Sequence, residues 1–191
     1  CDASSDMFAR PWPFADHAIV YAGAQKNLGP SGLALVIIRK DMLEKSCRET
    51  IDLLDYRKQA AQGSRLNTPP VFGVYCMGLV FDWIAAQGGL IGIAERNTAK
   101  AKVIYDAIDG SGGFYRGHAQ MDSRSEMNVT FRLPNEDLEK TFVSEAKSHD
   151  MDGLKGHRSV GGIRASIYNA FPIEGCQALA GFMSDFATKN G

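Results

Sequence analysis

The sequence predicts an α/β protein built in two parts. Two apolar, β-branched runs, residues 19–21 and 33–38, indicate buried strands on either side of a glycine-rich loop. Residues 68–87 are apolar on almost every side, which is typical of a helix buried in a core or against a partner subunit. From residue 127 onward, strand patterns alternate with helix patterns, as in a compact two-layer α+β unit. We therefore expect two units with a boundary near residue 95.

The composition is that of an ordinary globular protein, with 191 residues of which 45% are hydrophobic and 23% are charged. The net charge of −1 gives no global field for nucleic acid or an anionic membrane. No apolar run approaches the length of a membrane span, and no signal peptide precedes the first strand. We expect a cytoplasmic protein without a nucleic-acid, membrane or metal partner. The four cysteines, two of them in apolar helical patterns, have no metal-ligand spacing: Cys1, Cys47, Cys76 and Cys176.

Local signals predict the helices of the first part. Residues 41–45 indicate a short helix capped by Asp41. Thr68 is a good N-cap for the long apolar helix, and the two prolines after it suit a first helical turn. The glycine pair at 88–89 ends that helix, and a second helix over residues 90–108 links the two parts.

The second part is predicted from alternation and capping. Residues 127–133 alternate as a strand does, and Asn135 caps a helix with acidic residues in its first turn. Residues 163–168 form another strand, and the last helix begins at Pro172.

One lysine, Lys26, lies at the centre of the glycine-rich loop, between Gly23 and Gly29. Glycine has no side chain and tolerates positive φ, so such a loop lets the backbone pass close to a ligand. A single amine beside a sheet is the arrangement expected of a lysine that forms a Schiff base. From the loop alone, a solvated surface lysine remains the alternative.

The segment Tyr-Ala-Gly-Ala-Gln-Lys-Asn-Leu-Gly-Pro-Ser-Gly-Leu, residues 21–33, resembles the pyridoxal-phosphate lysine segment of the phosphoserine aminotransferases. These are fold-type I, class V aminotransferases. The resemblance implies a PLP-dependent transferase-like α/β fold. Residues 1–94 would form the C-terminal part of the large mixed-sheet domain, and residues 95–191 the small α+β domain. It also implies that the chain corresponds to the C-terminal half of the enzyme.

Four residues besides Lys26 match the family's cofactor site. Asp2 precedes Lys26 by 24 positions, as the family's cofactor aspartate does, and a carboxylate at the pyridine nitrogen keeps that nitrogen protonated. On local pattern alone, Asp2 is a turn former or a helix cap. Gln25 is implied to contact the cofactor near its phosphate. Asn67 and Thr68 match a pair that reaches the phosphate of the neighbouring subunit's cofactor, which implies a homodimer with shared active sites.

A second glycine-rich stretch, residues 153–169, carries candidate substrate ligands. Arg164 lies inside an apolar strand pattern, where an unpaired charge is costly and a planar guanidinium favours a carboxylate. By resemblance, Arg164 holds the substrate's α-carboxylate, and His157 and Arg158 take its phosphate. A protonated imidazole near neutral pH would aid the binding of a dianion. Lys155 reads as a solvated loop residue.

The resemblance implies a reversible, PLP-dependent amino transfer from glutamate to 3-phosphohydroxypyruvate, which gives phosphoserine and 2-oxoglutarate in serine biosynthesis. It also implies an analogous phosphohydroxythreonine step in vitamin B6 biosynthesis. Lys26 would move the proton as general base and acid.

Two alternatives stay open. The first is another class V enzyme such as a cysteine desulfurase, although Gln25 stands where that group usually has histidine. The second is a non-catalytic chain that only folds and dimerises through the helix after Thr68.

Overall fold

The computed structural model describes residues 1–45 and 50–191, so the predictions for Cys47 lie outside the described residues. The chain divides into two compact units, residues 1–93 and 94–191. Each unit has its own cluster of buried apolar side chains.

The first unit is organised by an antiparallel pair of strands, β1 (Ile19–Gly23) and β2 (Ala34–Ile38). The segment before them adds an isolated parallel bridge between Asp2 and Tyr21. Alternation along β1 buries Val20 on one face and leaves Tyr21 45% exposed on the other. The predicted strands are therefore present, but the prediction that they are buried was wrong in part, because Tyr21 is exposed and the residues of β2 are half-buried or exposed.

In the described part of the first unit, three α-helices follow: α1 (Lys40–Leu43), α2 (Tyr56–Ala61) and α3 (Val71–Ala86). The cap predicted for α1 was wrong, because Asp41 lies inside its first turn and accepts a hydrogen bond from Arg39 Nε at 2.6 Å.

The prediction that Thr68 caps α3 was also wrong. The helix begins at Val71, and Pro70 occupies the capping position without a side-chain hydrogen bond. The cause is the proline pair, because a residue before proline is driven away from the helical region. A cap at Thr68 would make Pro69 the first helical residue, but Pro69 precedes Pro70 and is therefore disfavoured in the helical region. Pro70 also lacks one of the two N–H groups that a capping hydroxyl at Thr68 could bind, the other being that of Val71.

Helix α4 (Gly89–Asp109) begins in the first unit, and most of its residues belong to the second unit. A three-stranded antiparallel sheet follows, in the order β3 (Arg116–Gly117), β4 (Asn128–Arg132) and β5 (Ile163–Ser166). Phe131 pairs with Ile163 at the end of the β4–β5 ladder.

Helices α5 (Glu136–Ser148) and α6 (Ile173–Asn190) complete the second unit. The predicted cap on α5 is confirmed, because Asn135 accepts a hydrogen bond from the backbone N–H of Leu138 at 2.9 Å. The predicted start of the last helix is confirmed to within one residue.

Phe142 of α5 lies at the centre of the core of the second unit, with no exposed surface. Four aromatic rings surround it at centroid distances of 4.9–6.0 Å, in edge-on arrangements: Tyr115, Phe131, Phe182 and Phe186.

One buried cation lies in the same unit. Lys100 of α4 is 2% exposed, and its amine donates to three consecutive backbone carbonyls, those of Ile167, Tyr168 and Asn169, at 2.7–3.3 Å. Burial lowers the pKa of Lys100 to about 8. The amine thereby holds the turn that follows β5.

Among the residues that the structure describes, no single helix has both the length and the apolar composition of a membrane span. The bent pair α3 and α4 meets both criteria only when the two helices are taken together. In the same residues, no group of three or more His, Cys, Asp or Glu side chains is arranged to hold a metal ion.

Candidate active site

Lys26 lies in a closed loop between β1 and β2. The loop is closed by a hydrogen bond from Ala24 N to Leu33 O at 2.9 Å, and its turn uses a positive φ of +92° at Gly32. Lys26 is half-buried, and its Nζ donates to Ser5 Oγ at 2.7 Å. The amine is thus held at a set position and not extended into solvent.

Two polar contacts hold this loop against the first residues of the chain. The buried side chain of Asn27 donates from Nδ2 to the carbonyl oxygens of Ser5 and Met7 at 3.2 and 3.3 Å. Ser4 Oγ accepts a hydrogen bond from the backbone N–H of Gly23 at 3.0 Å. Together they place the segment after Asp2 beside the lysine.

Asp2 is exposed and accepts a hydrogen bond from the backbone N–H of Ser4 at 2.9 Å. Hydrogen bonds from the hydroxyl and the backbone N–H of Ser4 lower the pKa of Asp2, and the charge of Lys26 adds to this effect. The first unit therefore brings together an ionised carboxylate and an anchored amine.

The other three predicted cofactor residues are exposed. Gln25 extends over Gly23, where a Cβ would lie only 2.5 Å from Gln25 Oε1, so the glycine makes room for the amide. Asn67 Nδ2 donates to Thr68 O at 3.2 Å in the segment before α3. Within the described residues, this pair forms no hydrogen bond with Lys26, Asp2 or Gln25.

The predicted substrate ligands lie at the entry to β5 in the second unit. Arg164 is on the strand, and its Nε is buried with no hydrogen-bond partner among the described residues. An unsatisfied guanidinium N–H in a half-buried position is a strong site for an anion. A cavity of about 160 Å³ is lined by both Arg164 and His157.

His157 and Arg158 occupy the loop before β5. His157 Nδ1 forms a hydrogen bond with Ser159 Oγ at 2.7 Å, and the side chain of Arg158 is exposed. Both residues line a second cavity of about 710 Å³ beside α5. The second unit therefore gathers three groups that can bind anions.

The family model for aminotransferase class-V matches residues 1–179. The chain belongs to the class-V aminotransferase family. This class-V aminotransferase chain has the predicted PLP-dependent transferase-like fold of type I, as its structural neighbours show.

Among the curated relatives of this class-V aminotransferase chain is the phosphoserine aminotransferase of Herpetosiphon aurantiacus, which is 60% identical over 100% of the chain and 53% of the relative. Among solved structures, phosphoserine aminotransferase from Bacillus circulans subsp. alkalophilus is 52% identical with a TM-score of 0.96, over 100% of the chain and 53% of that protein. PLP-bound phosphoserine aminotransferase from Trichomonas vaginalis is 39% identical with a TM-score of 0.90, over 96% of the chain and 52% of that protein. The chain spans about half the length of the relatives it matches.

Several residues that shape the candidate site of this class-V aminotransferase were not identified from the sequence. Ser5 and Asn27 make their contacts across about twenty positions of the chain, which no local pattern encodes. The Ser4–Ser5 pair, separated from Asp2 by one residue, was the available signal, since clustered hydroxyls near a carboxylate favour local hydrogen bonds. His118 also lines the cavity shared by His157 and Arg164.

Proposed function

We propose that this chain contributes the lysine-bearing half of a PLP-dependent phosphoserine aminotransferase. The observation that carries the proposal is the anchored amine of Lys26, held 2.7 Å from Ser5 Oγ in a glycine-rich loop beside the ionised Asp2. Curated relatives that are 50–60% identical to the chain and bear that name support it.

The donor set of the first unit fits pyridoxal phosphate. An aldehyde cofactor needs an amine, which Lys26 offers, and its pyridine nitrogen needs an anion, which Asp2 offers. Gln25, Asn67 and Thr68 would hold the cofactor phosphate through their amide and hydroxyl groups. When bound, the cofactor supplies an electron sink for the negative charge that develops at the substrate's Cα.

The chain's own residues then have separate tasks. Lys26 acts as general base when it removes the proton from the substrate's Cα. The protonated amine then acts as general acid and donates this proton in the next step. The hydrogen bond to Ser5 Oγ limits the rotamers of Lys26 before the reaction, which lowers the entropic cost of reaching the proton. Because the pKa of Asp2 is lowered, the carboxylate stays ionised through the neutral range.

Substrate recognition is assigned to the second unit. The unpartnered Nε of Arg164 supports its role as the ligand of the α-carboxylate. His157 and Arg158 would bind the phosphate of phosphoserine or 3-phosphohydroxypyruvate, and the side-chain carboxylate of glutamate or 2-oxoglutarate. The same pair would accept the phosphorylated hydroxythreonine substrate of vitamin B6 biosynthesis.

We also propose that the working protein is a cytoplasmic homodimer. Helix α3 leaves a row of apolar side chains 50–74% exposed. In a monomer this row would be a large apolar patch in contact with water, which is typical of an interaction surface. These side chains belong to Val71, Phe72, Val74, Tyr75 and Leu79. The thiols of Cys1, Cys76 and Cys176 are free, which suits a reducing compartment.

The deciding experiment is absorbance of the chain with added pyridoxal phosphate, followed by borohydride reduction and peptide mass mapping. We expect a visible band and a reduced adduct on Lys26. The variant Lys26→Ala should lose both, whereas Lys58→Ala, which removes an exposed lysine of α2, should keep both. An adduct that persists in Lys26→Ala would refute the assignment.

The exposed face of α3 also favours a second candidate, a chain that dimerises without catalysis. Ultracentrifugation and absorbance on one sample distinguish the two candidates. A folded dimer without a cofactor band would support the non-catalytic chain.

A further inference from the structure

Arg132 is the last residue of β4, and its side chain links α5 to the loop before β5. Its Nε lies 2.7 Å from Glu139 Oε1, and its Nη1 donates to the carbonyl oxygen of Val160 at 2.8 Å. One planar guanidinium therefore holds a helix side chain and a loop backbone at the same time. Glu139 is only 8% exposed and also accepts from Leu133 N at 3.4 Å, so its carboxylate is a fixed anchor.

The strand register explains why Arg132 reaches this loop. Phe131 is paired with Ile163, so the next residue of β4 faces Gly162. A Cβ at Gly162 would lie 2.6 Å from Arg132 Cδ and 2.8 Å from Phe131 O, and a Cβ at Gly161 would lie 3.2 Å from Arg132 Nη1. The two glycines thus leave the space that the arginine side chain fills.

The loop itself is a tight turn from residue 156 to residue 162. Gly156 N donates to Gly162 O at 2.8 Å, and Val160 N and Gly161 N both donate to His157 O. The carbonyl of Val160 accepts a hydrogen bond from Arg132, and its N–H donates to His157 O. The arginine is therefore one hydrogen-bonded residue away from the turn residues His157 and Arg158.

We propose that Arg132, anchored by Glu139, is a positioning residue that holds the 156–162 loop in the geometry with which His157 and Arg158 bind the substrate's phosphate. The assignment of a phosphate to this loop rests on the proposed function. Arg132 is committed to Glu139 and Val160, so its role is to hold the loop, and His157 and Arg158 remain the groups that contact the anion. The loop has few apolar contacts of its own, since Val160 is 54% exposed.

The test compares Arg132→Gln with Lys140→Gln in the full chain. Lys140 lines the same cavity, and its amine pairs with Asp137 on α5 at 2.9 Å, so this control removes an equal charge without touching the loop. Hydrogen–deuterium exchange of the peptide over residues 154–163 should be about tenfold faster in Arg132→Gln and unchanged in Lys140→Gln. The dissociation constant for phosphoserine, by calorimetry, should rise about five- to twentyfold in Arg132→Gln only.

Two further variants keep the test decisive. Arg132→Lys retains the charge but replaces the separate Nε and Nη1 donors with a single nitrogen, so it should restore exchange and affinity in part. Glu139→Gln removes the charge that anchors Arg132 but keeps the oxygen that accepts from Leu133 N, so it should also loosen the loop. It replaces Arg132→Gln in the test if that variant does not fold. The midpoint of thermal unfolding of each variant, measured alongside, separates a local effect on the loop from general destabilisation.

The outcomes distinguish the two proposals. Unchanged exchange in Arg132→Gln overturns the positioning role, and so does a loss of phosphoserine affinity without faster exchange, because Arg132 would then be a direct ligand. If the wild-type chain binds pyridoxal phosphate but not phosphoserine, while Arg132→Gln still loosens the loop, the proposed substrate is wrong and the positioning role stands.

Discussion

The side-chain amine of Lys26 lies 2.7 Å from the hydroxyl oxygen of Ser5, a residue 21 positions earlier in the chain. The contact joins the glycine-rich loop to the segment that carries Asp2. It also orients the amine before any ligand is present.

Replacing Ser5 with alanine should therefore weaken cofactor binding without unfolding the first unit. The loss of one hydrogen bond of about 1 kcal/mol corresponds to a roughly fivefold weaker affinity for pyridoxal phosphate. Absorbance titration measures this directly. The control is Ser31→Ala, which removes an exposed hydroxyl from the same loop and should leave the affinity unchanged. Equal affinities in both variants would show that the Ser5 contact has no role in binding.

Arg164→Lys should raise the KM for glutamate by about ten- to a hundredfold, because lysine keeps the charge but cannot reproduce a bidentate contact with a carboxylate. Steady-state kinetics of the amino transfer provide the measurement. The matched control is Arg116→Lys on β3, whose side chain is exposed. A KM that changes equally in both variants would argue against Arg164 as the carboxylate ligand.

The buried amine of Lys100 predicts a pH dependence of stability. Its pKa is lowered from 10.5 to about 8 in the folded state, so between these values the unfolded chain holds the proton and the folded chain does not. The unfolded state binds more protons in this window, so the free energy of unfolding should rise with pH from about 8 to 10.5. Thermal unfolding of the wild type and of Lys100→Met should show a difference that changes across this window. A difference that is constant with pH would mean that Lys100 does not titrate there.

Phe142→Ala should destabilise the second unit by about 3–5 kcal/mol, because it leaves a cavity at the centre of an aromatic cluster. Met121→Ala, at a side chain that is 78% exposed, should change the free energy of unfolding by no more than about 0.5 kcal/mol. Chemical denaturation followed by circular dichroism compares the two. Similar losses in both variants would contradict the assignment of the core.

The sequence predicted the elements whose signals are local. The strands around Lys26 and the cap at Asn135 depend on residues within a few positions of each other, and both are present. Thr68 failed as a cap because its preference was weighed apart from the two prolines after it, of which Pro69 is disfavoured in a helical conformation and Pro70 has no N–H to donate.

Contacts between distant segments could not be predicted. The Asn27 and Ser5 hydrogen bonds, and the position of Arg132 against Val160, depend on how strands and loops pack in three dimensions. The sequence likewise could not predict whether the apolar side chains of α3 are buried in the chain or exposed on its surface, because an all-round apolar pattern does not distinguish a core helix from an interface helix. Arg164 is an intermediate case. Its strand position indicated that it needs an anion, and its Nε has no partner in the described residues.

The separate cores of residues 1–93 and 94–191 have an evolutionary consequence. The reactive amine proposed at Lys26 and the anion ligands proposed at His157, Arg158 and Arg164 are each encoded in one uninterrupted stretch of chain. The hydrogen bonds of Lys26 and Asn27 that orient the lysine loop lie within the first stretch, so substitutions at the three proposed anion ligands replace none of the residues that make them. A family with this division can diversify its substrates while it inherits its chemistry unchanged.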